Sequence, residues 1–370
     1  MTPLLSVIMP VRNGARWLND AIDSIVGQTF SGFELLAIDD GSTDESPEIL
    51  NDRARRDDRI RMLRQSSLGL TAALNYGLAE ARGSLLARLD ADDRAAPQRL
   101  ERQIQVLSSN PDIGLLGSWA ERIDERGRPR GSLKPETHPE KLAEILTRTN
   151  PFVHSSIVFR IEIVRRLGGY RTAFEGAEDY DLWLRMSEVT RIANVAEPLV
   201  QYRRHRASVT ARRAIRQSFS VRIAQRSASA RRQIGRDPAT DLTTAPDWRR
   251  PEALNSFYAQ DAITYRLLDL ADPDCALQHG SVDFSPLAAR LEQLNHAERR
   301  LAALAIVNHL RQAPAAEASR NYRELARMMW QRPGLALLAA QSLFRGSGLA
   351  RDGVGGEKRT VSARDEPRDA

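Results

Sequence analysis

The stretch LLARLDADDRAAP (residues 85–97) places Asp90, Asp92 and Asp93 directly after a short apolar run that contains one arginine. A run of this kind is typical of a buried strand. In a parallel α/β sheet, ligands bind beyond the carboxyl ends of the strands, so we expect these aspartates to face a ligand. A cation between them would reduce their repulsion, and hard oxygen ligands suit Mg²⁺ or Mn²⁺. The alternative for a lone D-x-D pattern is an acidic turn on a solvated loop.

The segments around this stretch alternate between short apolar runs and runs with helical period. Strands are predicted at residues 4–10, 33–39, 60–64 and 84–90, and helices at 17–26, 42–55, 70–81 and 97–108. Beyond them we expect strands at 112–119, 153–160, 191–196 and 199–203, a turn at 124–134, and helices near 140–148 and from residue 178. Alternation with short connections predicts a mostly parallel α/β sheet that is covered by helices on both faces.

The 370 residues are enough for one large domain and an appendage. We expect residues 1–210 to form the α/β domain, 211–346 a helical region, and 347–370 a disordered tail rich in glycine and charge. Cys275 is the only cysteine, which excludes an intrachain disulfide and fits a reducing compartment. No apolar run reaches the ~18 residues of a membrane span. The N-terminus lacks the features of a signal peptide, so we expect a cytoplasmic protein.

A second predicted strand also ends in carboxylates. The segment AIDDGSTDES (37–46) places Asp39 and Asp40 at the end of that strand. Ser42, with Glu45 three positions later, resembles a capping box that opens the next helix. A carboxylate here can accept a hydrogen bond from the imide N–H of a uracil or from a ribose hydroxyl. With PVRNG at the end of the first strand, three strand ends would converge on one nucleotide site.

Three stretches resemble the family-2 glycosyltransferases with the GT-A fold: SVIMPVRNGARWLNDAIDSIVGQTFSGFELLAIDDGSTDES, GLTAALNYGLAEARGSLLARLDADD and ARLDADDRAAPQRLERQ. The resemblance covers about residues 4–210 and depends on the combination, because each motif is weak alone. It implies a nucleotide-sugar-dependent, inverting hexosyl- or N-acetylhexosaminyl-transferase of polysaccharide or glycolipid assembly. The fold that it implies is a Rossmann-like, mostly parallel sheet flanked by helices, followed here by a helical C-terminal extension.

The resemblance also implies roles on the donor side. Pro10, Val11 and Arg12 would line the nucleotide, and Asp40, with Asp39 beside it, would recognise the base.

In the D-x-D element, the resemblance makes Asp92 the direct metal ligand. Asp90 would contact the ribose, the metal or its bound water. For Asp93 we expect a cap of the 97–108 helix or a solvated position.

An inverting transfer needs a base that takes the proton of the acceptor hydroxyl as the anomeric carbon is attacked. FEGAEDYDLWLRMS (174–187) resembles the family's E-D motif. There Asp179 would be the base, and Glu178 would orient it or contact the acceptor. The alternative is that Glu178, Asp179 and Asp181 only favour the first turn of a helix through its dipole.

Two histidines lie in segments that resemble family motifs. His154, in NPFVHSSIVFR, would hydrogen-bond the substrate, and a structural histidine is the alternative. His205, in YRRHRASVT, belongs to an ending in which a loop folds over the diphosphate. Arg203, Arg204 and His205 would neutralise the leaving-group charge. Arg206 replaces a proline found in many relatives, which leaves the shape of this loop open.

From Arg203 to Arg236 the chain has eleven arginines and no acid. This stretch is poor in aromatic residues and has no nucleic-acid-binding motif, so we expect no nucleic-acid partner. An arginine-rich amphipathic surface suits anionic lipid headgroups, with residues 335–344 as a second, shallow anchor. Peripheral attachment to the inner face of the plasma membrane is therefore a hypothesis. The alternative is that these are ordinary helices of a C-terminal bundle.

The sequence as a whole predicts a Mg²⁺- or Mn²⁺-dependent inverting glycosyltransferase. It would move a sugar from a nucleotide-diphosphate donor, a UDP-sugar, to a hydroxyl of a glycan or lipid-linked acceptor. A sugar-phosphate nucleotidyltransferase is one alternative, although the glycine- and arginine-rich first loop of such enzymes is missing. A non-catalytic glycan-binding relative is the other. A dehydrogenase is disfavoured because no G-x-G-x-x-G follows the first strand.

Overall fold

The structure is a computed structural model that describes residues 2–205, 214–250, 256–269, 293–294, 298–299 and 301–306. The chain divides into two compact units, Met1–Tyr265 and Arg266–Ala370. All strands of the described residues lie in the first unit. The apolar run 335–344, the tail 347–370, Cys275 and Arg206 lie outside the described residues.

Nine strands and nine α-helices have defined bounds, and the described residues 298–299 and 301–306 are also helical. The strands are β1 (Leu5–Val11), β2 (Phe33–Asp40), β3 (Ile60–Gln65), β4 (Leu85–Arg88), β5 (Arg94–Ala95), β6 (Ile113–Ile123), β7 (Pro129–Leu133), β8 (Val158–Arg160) and β9 (Arg191–Arg203). The helices are α1 (Ala15–Val26), α2 (Ser46–Arg56), α3 (Leu70–Glu80), α4 (Arg99–Ser109), α5 (Pro139–Leu146), α6 (Ile161–Arg166), α7 (Glu178–Met186), α8 (Ala214–Ile234) and α9 (Ser256–Leu268).

The described strands form one sheet in the order β3-β2-β1-β4-β8-β6-β9-β5, with β7 paired to β6. The first four strands are parallel, as are β6 and β9, whereas β8 runs antiparallel to β4 and β6. Every residue of β1, β2 and β4 is buried, as expected for parallel strands that are covered on both faces. The predicted fold, a mostly parallel sheet flanked by helices, is confirmed.

The core explains why the first helix forms where the apolar spacing predicts it. Leu18, Ala21, Ile22 and Ile25 of α1 are fully buried in one cluster with residues of β1, β2 and β4. The spacing of three and four residues brings these side chains to one face of the helix.

The second half of the sheet differs from the prediction. The strands expected at 191–196 and 199–203 are one strand, β9, whose register against β6 shifts around Trp119 and Pro198. Proline has no N–H for the ladder, and a bulge lets the strand continue past it. The expected strand at 153–160 is shorter, because a 3₁₀ turn precedes Val158. The expected turn at 124–134 contains β7.

The predicted capping box of α2 is wrong. The Ser42 hydroxyl accepts a hydrogen bond from the Asn13 N–H at 3.0 Å, and the helix begins only at Ser46. Asp44 satisfies the backbone instead, since its carboxylate accepts from the N–H groups of Ser46 and Ala15, each at 3.0 Å. Polar side chains after β2 therefore tie the start of α2 to the loop after β1.

Helix α8 is part of the first unit, although it was predicted to follow the α/β domain. Three of its arginines bind within this unit: Arg226 contacts Asp261 at 2.5 Å, Arg231 contacts Glu188 at 2.8 Å, and Arg216 donates to a backbone carbonyl. The two ion pairs, of Arg226 and Arg231, leave less positive charge for a lipid surface than the sequence indicates. Among the residues that the structure describes, no helix has both the length and the apolarity needed to cross a bilayer. Membrane attachment and the domain boundary at residue 210 stay predictions.

We expect Gly77→Ala to destabilise the protein, because α3 lies against the sheet at this position. A Cβ at Gly77 would lie 2.7 Å from Ile8 Cγ2 and 3.1 Å from Ile38 Cδ1, both in buried side chains. Overpacking of this kind costs about 1–3 kcal/mol, of which helix propensity returns up to about 1 kcal/mol. Urea unfolding should show a net loss, whereas Asn51→Ala on the exposed face of α2 should not.

Candidate active site

Residues from β1, β2 and β4 meet at one edge of the sheet. Val11 is in register with Asp39, and the parallel pairing of β1 with β4 brings Asp90, two residues after Arg88, to the same edge. The guanidinium of Arg12 lies 3.6 Å from the carboxylate of Asp40. The structure thus brings together the predicted nucleotide-binding segment from Pro10 to Arg12 and the predicted base-recognition residues.

The two aspartates at the end of β2 have different surroundings. Asp39 is fully buried and accepts a hydrogen bond from the N–H of Ser42 at 3.0 Å, which closes the turn after the strand. Asp40 is 4% exposed, and its carboxylate accepts from Gln65 Nε2 at 2.7 Å and from the N–H of Gly69 at 3.1 Å. Asp40 is therefore held as an oriented acceptor at the sheet edge, whereas Asp39 stabilises the loop. Base recognition by either residue stays a prediction.

The D-x-D segment forms a tight cluster of carboxylates. Oxygens of Asp90, Asp92 and Asp93 lie within 4.8 Å of one another. Asp90 forms an ion pair with the buried Arg88 and accepts from the Ser155 hydroxyl at 3.0 Å. Burial, together with the neighbouring Asp90 and Asp92, raises the pKa of Asp93 well above its usual value.

These residues fit a hard divalent cation. All three offer carboxylate oxygens, and Asp93 Oδ2 is buried without a hydrogen-bond partner. A cation would reduce the repulsion among these three carboxylates.

The expectation that Asp93 caps the next helix or is solvated is wrong. Helix α4 begins at Arg99, and Asp93 is only 1% exposed. Its Oδ1 instead accepts from the N–H of Arg203 at 2.7 Å. Asp93 thus joins the D-x-D loop to the end of β9.

Arg203 and His205 also lie against this cluster. The buried Arg203 side chain donates from Nε to the carbonyl of Asp92 at 2.7 Å. His205 Nε2 lies 2.7 Å from Asp92 Oδ2, and its ring packs on Trp17 with the ring centroids 4.5 Å apart. The end of β9 and His205 thus lie against the D-x-D element, whereas contact of Arg203 or His205 with a diphosphate stays a prediction.

The predicted catalytic pair, Glu178 and Asp179, lies in the first turn of α7. Asp179 accepts from Asn150 Nδ2 at 2.9 Å and from the N–H of Tyr180 at 2.7 Å, one bond to each oxygen. Glu178 accepts from the N–H of Gly176 at 2.7 Å, and His154 Nδ1 lies 3.9 Å from Asp179 Oδ2. Both carboxylates are thus held in fixed orientations.

Asp181, the third acid of this turn, has a structural position. It is fully buried and forms ion pairs with Arg171 and Arg185.

Burial shifts the pKa values of Glu178, Asp179 and the neighbouring His154. It raises the pKa of Glu178 to about 7, with a further contribution from the charge of Asp179, and it raises the pKa of Asp179. Burial and the charge of Arg88 lower the pKa of His154 well below its usual value, so His154 is neutral. The positive charge of Arg88 opposes the rise in pKa for both Glu178 and Asp179. Arg88 therefore acts on the D-x-D cluster and on the α7 pair at once.

Arg88, Ser155 and Asn150 are functional candidates that the sequence reasoning did not identify. An arginine within a strand of buried residues is a usable signal for Arg88, because a buried charge needs a partner. Ser155 gave no signal, since its contact with Asp90 spans 65 residues. The contact of Asn150 with Asp179 spans 29 residues and was equally hidden.

Comparison with known proteins identifies the family. The model of "Glycosyl transferase family 2" matches residues 6–168. The O-antigen biosynthesis glycosyltransferase WbnJ of Escherichia coli is 35% identical over 209 residues, which are 55% of this chain and 81% of WbnJ. The chain belongs to glycosyltransferase family 2. MJ1057, an uncharacterized glycosyltransferase of Methanocaldococcus jannaschii, is 33% identical over 54% of this family-2 chain and 71% of its own length. The protein is thus a glycosyltransferase.

Solved structures of similar shape support the GT-A fold of this family-2 glycosyltransferase. TarS residues 1–349 of S. aureus, in complex with UDP-GlcNAc, has a TM-score of 0.52 at 16% identity and 95% coverage of both chains. The mannosyltransferase PcManGT of Pyrobaculum calidifontis, with GDP-Man and Mn²⁺, has a TM-score of 0.50 at 20% identity, covering 90% of this chain and 88% of PcManGT. At these identities the likeness concerns the fold alone.

We expect Glu178→Gln to change the pH dependence of stability. The folded pKa of Glu178 is about 7 and its ordinary value is 4.5, so the unfolded chain releases this proton at a lower pH than the folded one. The wild-type protein therefore loses stability as the pH rises from 4.5, the ordinary pKa, to about 7, the pKa in the folded protein. The difference in melting temperature, Glu178→Gln minus wild type, should therefore increase as the pH rises from 4.5 to about 8.

Glu162→Gln, at a side chain that is 82% exposed, is the matched control and should show no such trend. A melting-temperature difference for Glu178→Gln that does not change with pH would contradict the raised pKa.

Proposed function

We propose that this glycosyltransferase moves one sugar, with inversion, from a nucleotide-diphosphate donor to a hydroxyl of a glycan or lipid-linked acceptor. A UDP-sugar is the proposed donor, carrying a hexosyl or N-acetylhexosaminyl group, and polysaccharide assembly of the O-antigen type is the proposed pathway class. The O-antigen role of WbnJ and the UDP-GlcNAc bound to TarS support this choice. The observation that carries the proposal is the orientation of Asp179, both of whose oxygens are fixed while its side chain stays 17% exposed.

On the donor side, Asp40 would accept the imide N–H of the base, because Gln65 and Gly69 fix its carboxylate. The backbone from Pro10 to Arg12 would line the nucleotide. The positive charge of Arg12, next to Asp40, suits the negative charge of the donor.

Asp92 and Asp90 would hold Mg²⁺ or Mn²⁺, consistent with the acidic cluster and with the Mn²⁺ in PcManGT. A bound cation would neutralise charge on the diphosphate as it leaves. His205 and Arg203 would fix the position of the D-x-D loop through Asp92 and Asp93 and would add positive charge near the leaving group.

On the acceptor side, Asp179 would take the proton of the attacking hydroxyl. Asn150 holds one of its oxygens, and the Tyr180 N–H holds the other. Glu178 and the neutral His154 would contact the acceptor or orient the base. The raised pKa of Asp179 moves this carboxyl towards the working pH of a general base.

We expect Asp179→Asn to lower kcat by about 100-fold or more, because general-base catalysis contributes at least that factor. Donor affinity should stay near the wild-type value, because Asp179 does not touch the donor in this proposal. Steady-state kinetics and calorimetric titration with the donor measure the two quantities. A variant with wild-type kcat would exclude Asp179 as the base.

We expect Asp92→Asn to lose the metal-dependent part of donor binding as well as turnover. Donor titration in Mn²⁺ and in EDTA measures this part directly. Glu101→Gln, on helix α4 away from the cluster, serves as the charge-matched control. Equal metal dependence in Asp92→Asn and the wild type would contradict the assignment.

The donor is tested by a screen of nucleotide-sugars for metal-dependent thermal stabilisation, followed by hydrolysis without acceptor. Stabilisation and slow hydrolysis with one UDP-sugar support the proposal. Release of diphosphate from a nucleoside triphosphate and a sugar phosphate would indicate a nucleotidyltransferase. Sugar binding without any turnover would indicate a non-catalytic relative.

A further inference from the structure

Helix α8 packs against the turn that leads into the proposed catalytic pair. The buried Ser220 hydroxyl donates to the carbonyl of Glu175 at 2.7 Å. Gly176, the next residue, has a φ of +84°, and a Cβ there would lie 3.5 Å from the Cα of Gln217. The backbone of α8 thus comes close to the turn whose N–H binds Glu178.

One side chain of α8, Gln225, bridges two segments that are distant in sequence. Its amide nitrogen donates to the carbonyl of Arg148 at 2.8 Å and to the hydroxyl of Tyr180 at 3.2 Å. The hydroxyl of Tyr180, a buried residue, donates in turn to the carbonyl of Leu146 at 2.7 Å. Gln225 therefore connects the end of α5 to the first turn of α7.

These two segments are the ones that orient Asp179. Asn150, two residues after Arg148, binds one carboxylate oxygen, and the N–H of Tyr180 binds the other. A shift of either segment would rotate the carboxylate or release one of its bonds. Gln225 fixes the segments relative to each other without touching Asp179.

An ionic network joins the same helix to α7. Arg231 binds Glu188, which follows α7, and Asp237, which in turn binds Arg171. Arg171 pairs with the fully buried Asp181 of α7. Helix α8 is therefore held to α7 at more than one place, so the Gln225 amide has a defined position.

We propose that Gln225 is a positioning residue for Asp179, so that the catalytic machinery of this enzyme extends beyond residue 210 into helix α8. The proposal rests on the proposed role of Asp179 as the base. Catalytic groups need supporting contacts that hold them near the productive geometry, and small displacements lower the rate strongly. The single amide of Gln225 supplies such support to both orienting segments.

The test compares full-length Gln225→Met with full-length Gln233→Met. Methionine keeps a similar volume without the amide donor, and Gln233 is an exposed glutamine of the same helix. We expect Gln225→Met to lower kcat by about 10-fold or more, with donor KM and melting temperature close to the wild type. Gln233→Met should match the wild type in all three. A folded Gln225→Met with wild-type kcat overturns the proposal, as does an equal loss in Gln233→Met.

Two further variants separate positioning from a general loss of structure. Tyr180→Phe removes the hydroxyl that Gln225 binds, so it should lower kcat in the same way. If Gln225→Met does not fold, Tyr180→Phe takes its place in the test, and wild-type kcat in Tyr180→Phe then overturns the proposal. In the Asp179→Asn background, Gln225→Met should cause no further loss of rate, since the residue that it positions is gone. A further loss there would mean that Gln225 affects the rate independently of Asp179, which overturns the proposal.

The outcome for Asp179→Asn distinguishes this inference from the function on which it rests. Wild-type kcat in Asp179→Asn counts against Asp179 as the base. An impaired Asp179→Asn beside a Gln225→Met of wild-type activity counts against the role of Gln225 alone.

Discussion

Buried carboxylates repel one another, and in this protein the buried guanidinium of Arg88 acts on two groups of them. It pairs directly with Asp90, and its charge opposes the rise in pKa of Glu178 and Asp179. Arg88 is itself held in place, because Arg99 donates to its carbonyl and Arg88 donates to the Ser155 hydroxyl. A strand interior that carries a charge is costly unless the charge is paired. Asp90 supplies that partner, so one buried cation acts on acids of two segments.

The loops around this centre depend on contacts of long sequence separation. Asp92 meets His205 across 113 residues, and Asp93 meets Arg203 across 110. Strand β9 thus ends at the D-x-D segment, where a cation and a diphosphate are proposed to bind. Helix α8 contacts the segments on the proposed acceptor side. It supports α7 through hydrogen bonds and ion pairs, which makes the unit that ends at Tyr265 larger than the segment that resembles the family.

Local signals predicted the first half of the fold well. Strands β1 to β4 and helices α1, α3 and α4 lie within a few residues of the predicted positions, because buried parallel strands and amphipathic helices leave clear periodic patterns. The second half was harder. Strand β9 continues through Pro198 by shifting its register, and β7 lies in a segment that is rich in turn residues. The course of β9 and the existence of β7 both depend on pairing with β6, which cannot be predicted from a local sequence pattern.

The sequence by itself determined the fold class, the family and the candidate acids, since these follow from residue type and spacing within short segments. Only the tertiary structure decided the surroundings of each acid. It separated the closed turn of Asp39 from the oriented carboxylate of Asp40, and it gave Asp93 a buried partner in Arg203 instead of a helix to cap. It also supplied Arg88, Asn150 and Gln225 as supporting residues. Burial and hydrogen bonding depend on which distant segments meet, and that information exists only once the chain has folded.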